Sequence, residues 1–437
     1  MKEPRQIAVE IVEQVLWQQA YSNLTLNKAA SALDSRERKL VTELVYGTVK
    51  YYLALAWLLN QFLSKPLEKM PHRLQAILLV GAYQIVKSER IPGPAAVHTS
   101  VELAKKNKFT GLAGLVNGVL RNLLRNQGNW SWPDRNQDLV GYLSVFYSYP
   151  RWLVQLWLKE LGEEDTEKLL AAGNNIPPLT LRTNTLRLTR AELVERLQAA
   201  GTGVKELSWP PEGVELTDFD LLTRIPGFAE GWWLVQDQAS MQVAHVVAPL
   251  PGMKVLDTCA APGGKTTHLA QLMSDQGEIV ACDIHPHKLK LIEDNCLRLG
   301  IKSIHTVLQD ATALPSAWHN RFDRVLVDAP CSGLGVIRRR PEIRWQKAAA
   351  DLKSLPELQK RILQAAAACV APGGILVYST CTINRQENQE VARWFGENFP
   401  EFQLLPWEGA PAGEIQLLPH RENSDGFFLA RWRKEDK

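Results

Sequence analysis

The sequence predicts an all-α N-terminal domain followed by an α/β domain with a doubly wound, mostly parallel sheet. Two observations lead to this prediction. In residues 1–130 the apolar residues recur at helical spacing. From about residue 236, short apolar strands alternate with amphipathic helices, as in parallel βαβ units. Between these regions, residues 140–235 mix both patterns and predict a small α/β unit.

The composition is that of a soluble globular protein with more than one domain. The chain has 437 residues, 45% hydrophobic and 22% charged, which is too long for one ordinary core. No apolar run reaches the roughly 18 residues that a membrane helix needs. The N-terminal stretch contains acidic residues and no signal-peptide core, so we expect a cytoplasmic protein. Six cysteines without a C-x-x-C pair predict reduced thiols and no metal site.

The net charge of +3 conceals an uneven distribution. Residues 1–130 contain 17 Lys and Arg but only 9 Asp and Glu, a net of +8, which leaves −5 for the rest. This excess predicts a polyanionic partner, with Lys105, Lys106 and Arg121 as candidate phosphate contacts. A solvated helical surface would show the same excess, and charge alone does not separate the two interpretations.

The helices of the N-terminal region are predicted from their periodic apolar positions. These are Ile7, Ile11, Val12 and Val15, then Leu40, Leu44, Val45 and Val49, then Leu74, Ile77, Leu78 and Ile85. The sequence IPGP at 91–94 interrupts the pattern, which resumes over 97–106. The polar stretch NQGNWSWPDRNQD at 126–138 is typical of a linker.

In the middle region, PRWL at 150–153 begins a predicted helix that runs towards Leu161. LTLRTNTLRL at 179–188 alternates polar and apolar residues and predicts a strand that carries Arg182 and Arg187. A helix over 190–200 follows.

Five strands are predicted in the C-terminal region. They are MKVLD, GEIVACD, IHTVLQD, FDRVLVDAP and GGILVYSTCT, with helices over 265–273, 287–299 and 358–370. Such an alternation predicts a doubly wound sheet, whose ligands bind beyond the carboxyl ends of the strands.

The loop after the first of these strands, CAAPGGKT at 259–266, resembles half of a phosphate-binding P-loop. Position 259, where a P-loop has its first glycine, is Cys, so a complete nest of amides is not expected. Asp257, Asp283, Asp310 and Asp328 end four strands or follow directly after them, and they predict one carboxylate-lined crevice. Carboxylates repel phosphates, so a nucleoside with a cationic centre, S-adenosylmethionine, fits better than a nucleotide triphosphate. NAD fits less well because G-x-G-x-x-G is absent.

We therefore predict a cofactor site with assigned contacts. Asp283 occupies the place of a ribose-binding acid, and Asp310 can accept from the adenine amine. The complete set is Cys259, Ala260, Ala261, Pro262, Gly263, Gly264, Lys265, Asp283, Asp310 and Asp328. Cys259 is interpreted as a small residue of the turn. Lys265 has two interpretations: a hydrogen bond to loop carbonyls, or a cation that activates a thiol.

Cys331 and Cys381 follow two strands at the edge where the crevice is expected. Cys282, Cys296 and Cys369 lie inside elements and are interpreted as buried hydrophobes. Two thiols at this edge suit methylation of carbon 5 of a pyrimidine: thiolate addition at carbon 6 makes carbon 5 nucleophilic, and a second group assists release. Asp328 could select cytosine through its amine and ring nitrogen. Spacing alone does not say which cysteine attacks.

The motifs CAAPGGKT, DAPCSGLG and YSTCT, in this order, resemble those of the RNA cytosine-C5 methyltransferases of the Nol/Nop/Sun class. The resemblance covers the C-terminal half and implies a Rossmann-like class I methyltransferase domain. It also implies that Cys381 is the nucleophile and that Cys331 assists product release.

The stretches ERKLVTELVYGTVKYY, ILLVGAYQIV and VNGVLRN resemble the helical NusB domain of RNA-binding antitermination factors. PRWLVQLW and LTLRTNTLRL match an intermediate RNA-contacting region. This arrangement is similar to the bacterial 16S ribosomal RNA methyltransferases of the RsmB (Fmu/Sun) type. It implies a NusB-like domain over 1–135, an intermediate region over 136–235 and a methyltransferase domain over 236–437.

The implied partner is 16S ribosomal RNA, naked or in early assembly, bound by a monomer. Two alternatives stay open: the same chemistry on tRNA, and a non-catalytic RNA-binding assembly factor that has kept an adenosyl fold.

Overall fold

The computed structural model describes residues 3–29, 33–219 and 222–436. The chain forms two compact units. The first comprises Met1–Asn175 and Ile337–Ala349, and the second comprises Ile176–Val336 and Ala350–Lys437. The domain limits predicted at 135 and 235 follow motifs rather than compactness, and they stay a prediction.

The first unit is helical, as predicted. Its helices are α1 (Pro4–Trp17), α2 (Ser22–Ala29), α3 (Ser35–Lys50), α4 (Tyr52–Asn60), α5 (His72–Val86), α6 (Gly93–Lys106), α7 (Ala113–Arg125), α8 (Leu139–Tyr147) and α9 (Arg151–Ala172). Asp34 and Glu37 form a capping box that fixes the start of α3. Gly162, with φ 80°, interrupts α9 one residue after the predicted helix end.

The core of this unit is built from the predicted periodic positions, among which Ile11, Leu44 and Ile77 are almost completely buried. The stretch 126–138 contains no helix, as expected of a connection. It is nevertheless packed, because Trp130 and Trp132 lie against the core. The Trp57 indole also donates a hydrogen bond to the Ser131 carbonyl, at 2.9 Å.

The second unit contains a small antiparallel sheet with the order β2-β3-β1-β4. Its strands are β1 (Leu179–Thr183), β2 (Gly203–Glu206), β3 (Gly213–Asp218) and β4 (Trp233–Val235), and α10 (Arg190–Ala199) follows β1. The strand predicted over 179–188 is therefore too long. The chain turns at Asn184, whose side-chain oxygen accepts from the Leu186 amide at 3.3 Å and whose carbonyl accepts from the Arg187 amide at 2.9 Å.

The large sheet has the order β10-β12-β9-β8-β5-β6-β7, with β11 paired to β12. Its strands are β5 (Lys254–Asp257), β6 (Glu278–Asp283), β7 (Ile304–Leu308), β8 (Phe322–Asp328), β9 (Val370–Thr380), β10 (Phe402–Leu404), β11 (Glu414–Leu417) and β12 (Phe427–Lys434). The remaining helices are α11 (Gln238–Val247), α12 (Gly264–Leu272), α13 (Pro286–Leu299), α14 (Ile343–Gln346, in the first unit), α15 (Leu355–Cys369), α16 (Gln389–Asn398) and α17 (Pro419–Glu422).

Strands β5 to β9 are the five predicted strands, and they are mutually parallel. The chain runs outward from β5 to β7 on one side and from β8 to β9 on the other, so the switch point lies between β5 and β8. The antiparallel extension through β12 and its neighbours was not predicted. No helix among the described residues is long and apolar enough to cross a membrane.

Candidate functional site

The CAAPGGKT loop leaves the end of β5 at this switch point and leads into α12. Its turn is held by backbone hydrogen bonds: the Ala260 amide donates to the Cys282 carbonyl of β6 at 2.8 Å, and the Gly263 amide donates to the Ala260 carbonyl. Gly263 has φ 96°, and a Cβ there would lie 3.3 Å from Cα of Ile292. Glycine is therefore required both by the backbone angle and by close packing on α13.

Lys265 forms an ion pair across the switch point. Its Nζ lies 2.5 Å from Oδ2 of Asp328 at the end of β8, and the Ser379 hydroxyl donates to Asp328 Oδ1 at 2.8 Å. The interpretation of Lys265 as a donor to loop carbonyls is therefore wrong. Although burial acts against the charge, Asp328 raises the pKa of Lys265, and the interaction with Cys381 adds to this.

The four predicted carboxylates have different environments. Asp257 is buried and accepts from the Thr266 hydroxyl at 2.7 Å, and burial raises its pKa to about 7. It therefore anchors the loop from within. Asp283 ends β6 and accepts from the His285 amide at 3.0 Å. Asp310 is exposed beyond β7, and the Thr312 amide and hydroxyl donate to it, which lowers its pKa.

The two cysteines singled out in the sequence lie together. Sγ of Cys331 is 3.3 Å from Sγ of Cys381, within the distance of a sulfur hydrogen bond. This contact, together with burial, holds the pKa of Cys331 well above its ordinary value. None of the six cysteines forms a disulfide. Cys282 and Cys369 are buried, as expected, whereas Cys296, expected to be buried, is partly exposed, as is Cys259.

The donors of the loop fit a nucleoside better than a phosphate chain. In a P-loop the lysine contacts phosphates, but the charged ammonium of Lys265 is paired with Asp328. The Gly263 amide is also used within the turn. Carboxylates at the ends of β6 and β8 offer acceptors to hydroxyl and amine groups. An adenosyl cofactor with a positive centre is compatible with this set of residues.

Arg182 has a different role from the one implied by the RNA-contacting motif. It is buried on β1, and it donates to the Gly264 carbonyl and, at 2.9 Å, to the Thr267 hydroxyl on α12. Its guanidinium therefore supports the loop from behind and is not exposed to RNA. Arg187 is exposed on the turn after β1, and its side chain donates to the Leu299 carbonyl at 3.2 Å.

A largely buried cluster of Glu212, His245 and His268, the last on α12, was not predicted from the sequence. Nε2 of His268 lies 2.6 Å from a Glu212 carboxylate oxygen, and Nε2 of His245 lies 3.0 Å from the same oxygen. In a tetrahedral zinc site neighbouring ligand atoms would be about 3.3 Å apart. The cluster thus has the spacing of a charge-assisted contact. Burial lowers the pKa of His268 to about 4. No sequence motif connects these three residues.

The basic candidates of the first unit differ in their surroundings. Lys105 pairs with Glu102 at 2.7 Å, and Lys106 pairs with Glu3 at 2.8 Å. Arg121 instead lines a groove of about 470 Å³ between α6 and α7, together with Arg125. The groove is therefore a more basic surface than the region of Lys105 and Lys106, whose charges are paired.

Comparison with known proteins gives matches along the whole chain. A family model described as 16S rRNA methyltransferase RsmB/F matches residues 244–433. The NusB family model matches residues 2–125, and the ferredoxin-like domain model of RsmF/B-like methyltransferases matches residues 149–220.

Curated relatives match over almost their full length. The probable ribosomal RNA small subunit methyltransferase B of Bacillus subtilis is 40% identical and covers 99% of this chain and 98% of its own. The ribosomal RNA small subunit methyltransferase B of Yersinia pseudotuberculosis serotype O:1b is 34% identical, covering 98% and 97%.

Among solved structures, PH0851 superposes with a TM-score of 0.84 at 27% identity and covers 99% of both chains. A methyltransferase homolog protein from Pyrococcus horikoshii is 31% identical, with a TM-score of 0.60, and covers 67% of this chain and 97% of its own.

Proposed function

The chain belongs to the 16S rRNA methyltransferase RsmB/F family, and we propose that it methylates carbon 5 of a cytosine in 16S ribosomal RNA. The methyl donor is S-adenosylmethionine. The observation that carries the proposal is the 3.3 Å contact between the sulfurs of Cys331 and Cys381, next to a carboxylate and a loop suited to an adenosyl group.

The cofactor is assigned to the carboxyl ends of β5 to β8. Asp283 accepts hydrogen bonds from the ribose hydroxyls, and Asp310 accepts from the adenine amine. Residues 259–265 bring their backbone close to the cofactor, because Gly263 and Gly264 carry no side chain. When bound, the cofactor supplies a sulfonium methyl group.

Cys381 is the proposed nucleophile. Its thiolate forms a bond to carbon 6 of the cytosine, and the displaced electron pair makes carbon 5 nucleophilic towards the methyl group. Lys265, whose positive charge interacts with Cys381, favours the thiolate. Asp328 accepts a hydrogen bond from the exocyclic amine of the cytosine, which uracil lacks, and thereby selects cytosine.

Cys331 acts after methyl transfer. With its pKa held above the ordinary value, it starts as a neutral thiol. Once Cys381 is bonded to carbon 6 it no longer raises the pKa of Cys331, so the Cys331 thiol can give its proton to solvent. The Cys331 thiolate then takes the carbon-5 proton, the released electron pair forms the double bond between carbons 5 and 6, and the Cys381 thiolate leaves.

The proposal predicts different behaviour for the two cysteine variants. Cys381→Ala should lose methyl transfer and form no covalent RNA species, because no sulfur bonds to carbon 6. Cys331→Ala should methylate once and then accumulate an RNA adduct that is stable on a denaturing gel. The reverse pattern would exchange the two roles, and full activity in both variants would exclude covalent catalysis by these thiols.

The target is tested by bisulfite sequencing of ribosomal RNA and tRNA from cells with and without the gene. One 16S cytosine that loses protection in the deleted strain is the expected result. Loss at a tRNA position would assign the chemistry to tRNA, and unchanged patterns would favour a non-catalytic assembly factor.

Because base flipping costs a few kcal/mol of stacking and pairing, naked 16S RNA should be methylated faster than finished 30S particles.

A further inference from the structure

The residues that follow the two cysteines are joined to each other. The Ser332 and Thr382 hydroxyl oxygens are 2.7 Å apart, and both side chains are buried. Ser332 uses its proton in a 2.5 Å hydrogen bond to Oε1 of Glu387. The Thr382 hydroxyl therefore donates to Ser332, and the chain of donors ends on Glu387.

Glu387 lies just before α16 and is completely buried. Its Oε2 accepts from the Ser332 amide at 2.8 Å and from the Gln359 side chain at 3.0 Å, and its Oε1 also accepts from Asn384 at 2.9 Å. Gln359 in addition donates to the Pro330 carbonyl at 3.0 Å. The carboxylate thus connects both neighbours of Cys331 to one point.

Asn388 contacts both neighbours of Cys381. Its Oδ1 accepts from the Thr380 hydroxyl at 2.6 Å, and its Nδ2 donates to the Thr382 carbonyl at 2.9 Å. Two consecutive residues of the chain are therefore linked to both neighbours of each cysteine, directly except at Pro330, which Glu387 reaches through Gln359.

A fully buried carboxylate is costly, and the donors named here are neutral amides and a hydroxyl. An apolar side chain of similar volume would fill the space without that cost. What an apolar residue cannot supply is four directed bonds, three to the two cysteine loops and one to Gln359 of α15.

We propose that Glu387 and Asn388 are positioning residues that hold Cys331 and Cys381 at the separation at which one thiol can act on the adduct of the other. The catalytic part of this inference rests on the proposed function. The geometric part concerns only the two thiols, and it can be tested without RNA.

The test uses full-length Glu387→Gln and Asn388→Asp variants, with Glu390→Gln as control. Glu390 lies three residues further along the chain and is exposed. Diamide takes up the two thiol hydrogens as its N=N bond is reduced, and an S–S bond forms between the two sulfurs. The rate is followed by mass spectrometry of the Cys331–Cys381 cross-linked peptide across a pH series.

The pH series separates distance from charge. At high pH, where both thiols are ionised, the cross-linking rate reaches a plateau that depends on the distance between the sulfurs. The pH at which the rate is half of this plateau depends on the charges near the thiols. Glu387→Gln should lower the plateau about tenfold, because misplacement by a fraction of an ångström to 1 Å slows a proximity-dependent reaction by factors of ten to a hundred. The midpoint should move to lower pH, because Glu387 contributes to the raised pKa of Cys331. An unchanged plateau in both variants would overturn the proposal.

With RNA, Glu387→Gln should accumulate adduct relative to the wild type and to Glu390→Gln, since release needs the second thiol. If the wild type never forms an adduct, the proposed function is wrong. The cross-linking rate at high pH, measured without RNA, still tests whether Glu387 and Asn388 position the two thiols. Should Glu387→Gln not fold, Ser332→Ala removes one of the four bonds, and a plateau lowered about threefold is expected. A wild-type plateau in folded Ser332→Ala would then contradict the proposal.

Discussion

At the scale of single residues, the burial of His268 has a clear effect on how the stability of the protein depends on pH. Its pKa is about 4 in the folded protein and 6.5 ordinarily. Between these values the unfolded chain binds a proton that the folded chain does not, so stability is present above pH 6.5 and is lost as pH falls towards 4. From pH 7.5 to pH 5 this loss amounts to about 2 kcal/mol.

His268→Asn should remove this contribution. Urea unfolding at the two pH values should show that the variant loses about 2 kcal/mol less than the wild type on acidification. His287→Gln, at an exposed position, serves as control and should retain the wild-type pH response. An identical response in His268→Asn and the wild type would contradict the assigned burial effect.

Asp257 acts in the opposite sense. Burial raises its pKa from 3.8 to about 7. Its contribution to the free energy of unfolding is therefore complete below pH 3.8 and is lost as pH rises through 7. Asp257→Asn keeps an acceptor for the Thr266 hydroxyl. When the pH is lowered from 7.5 to 5, its free energy of unfolding should rise by about 2 to 3 kcal/mol less than that of the wild type. The two residues offset each other in the wild type, so only the single variants reveal them in urea titrations. A variant that kept the wild-type pH response would exclude Asp257 as the titrating group.

Residue types at strand ends could be predicted from the sequence, whereas their partners could not. The pattern of Asp and Cys after β8 and β9 placed Asp328, Cys331 and Cys381 at one edge. The Lys265–Asp328 pair depends on β5 and β8 being neighbours across a separation of 63 residues. Periodicity describes which face of an element is buried, and it contains no information on such lateral contacts.

At the scale of elements, α14 is part of the helical unit although it lies between β8 and β9 in sequence. Arg344 is completely buried there. It donates to the carbonyls of Lys50, Ser148 and Gly173 at 3.1, 3.0 and 2.9 Å and contacts the Tyr149 ring at 3.7 Å. A short helix of this kind is stabilised by its anchors rather than by its length.

Arg344→Met should therefore destabilise the protein by about 3 to 5 kcal/mol, because buried carbonyls lose their charged donor. Arg340→Met, four residues away and exposed, should change stability by less than about 0.5 kcal/mol. Urea unfolding of the full chain provides the comparison. Equal stabilities of the two variants would show that α14 does not depend on this anchor.

The same scale shows where prediction from patterns ends. The five parallel strands were found because each is short, apolar and followed by a helix. The strand β12 has no such context, since it pairs antiparallel with β9 near the chain end. The stretch 179–188 alternates polar and apolar residues throughout. The strand β1 nevertheless ends at Thr183, because the backbone and side chain of Asn184 favour a turn.

At the scale of the whole molecule, the excess of +8 in residues 1–130 and the −5 of the remainder make the first region the expected contact for ribosomal RNA. Each phosphate contact releases counterions, so affinity should fall by about 0.7 to 0.9 log units per contact for each tenfold rise in salt. The structure distinguishes among the basic residues. Lys105 is already paired with Glu102, whereas Arg121 lines an open groove with Arg125.

Arg121→Gln in the full chain should weaken binding of a 16S RNA fragment and reduce its salt slope by about 0.7 to 0.9, the equivalent of one contact. Lys105→Gln should leave the slope nearly unchanged, because a lysine already paired with Glu102 makes no phosphate contact of its own. Filter binding at several salt concentrations measures both slopes. The effect should be similar for RNAs of different sequence, because phosphate contacts fix position without reading bases. Equal slopes for Arg121→Gln and the wild type would move the RNA contact away from this groove.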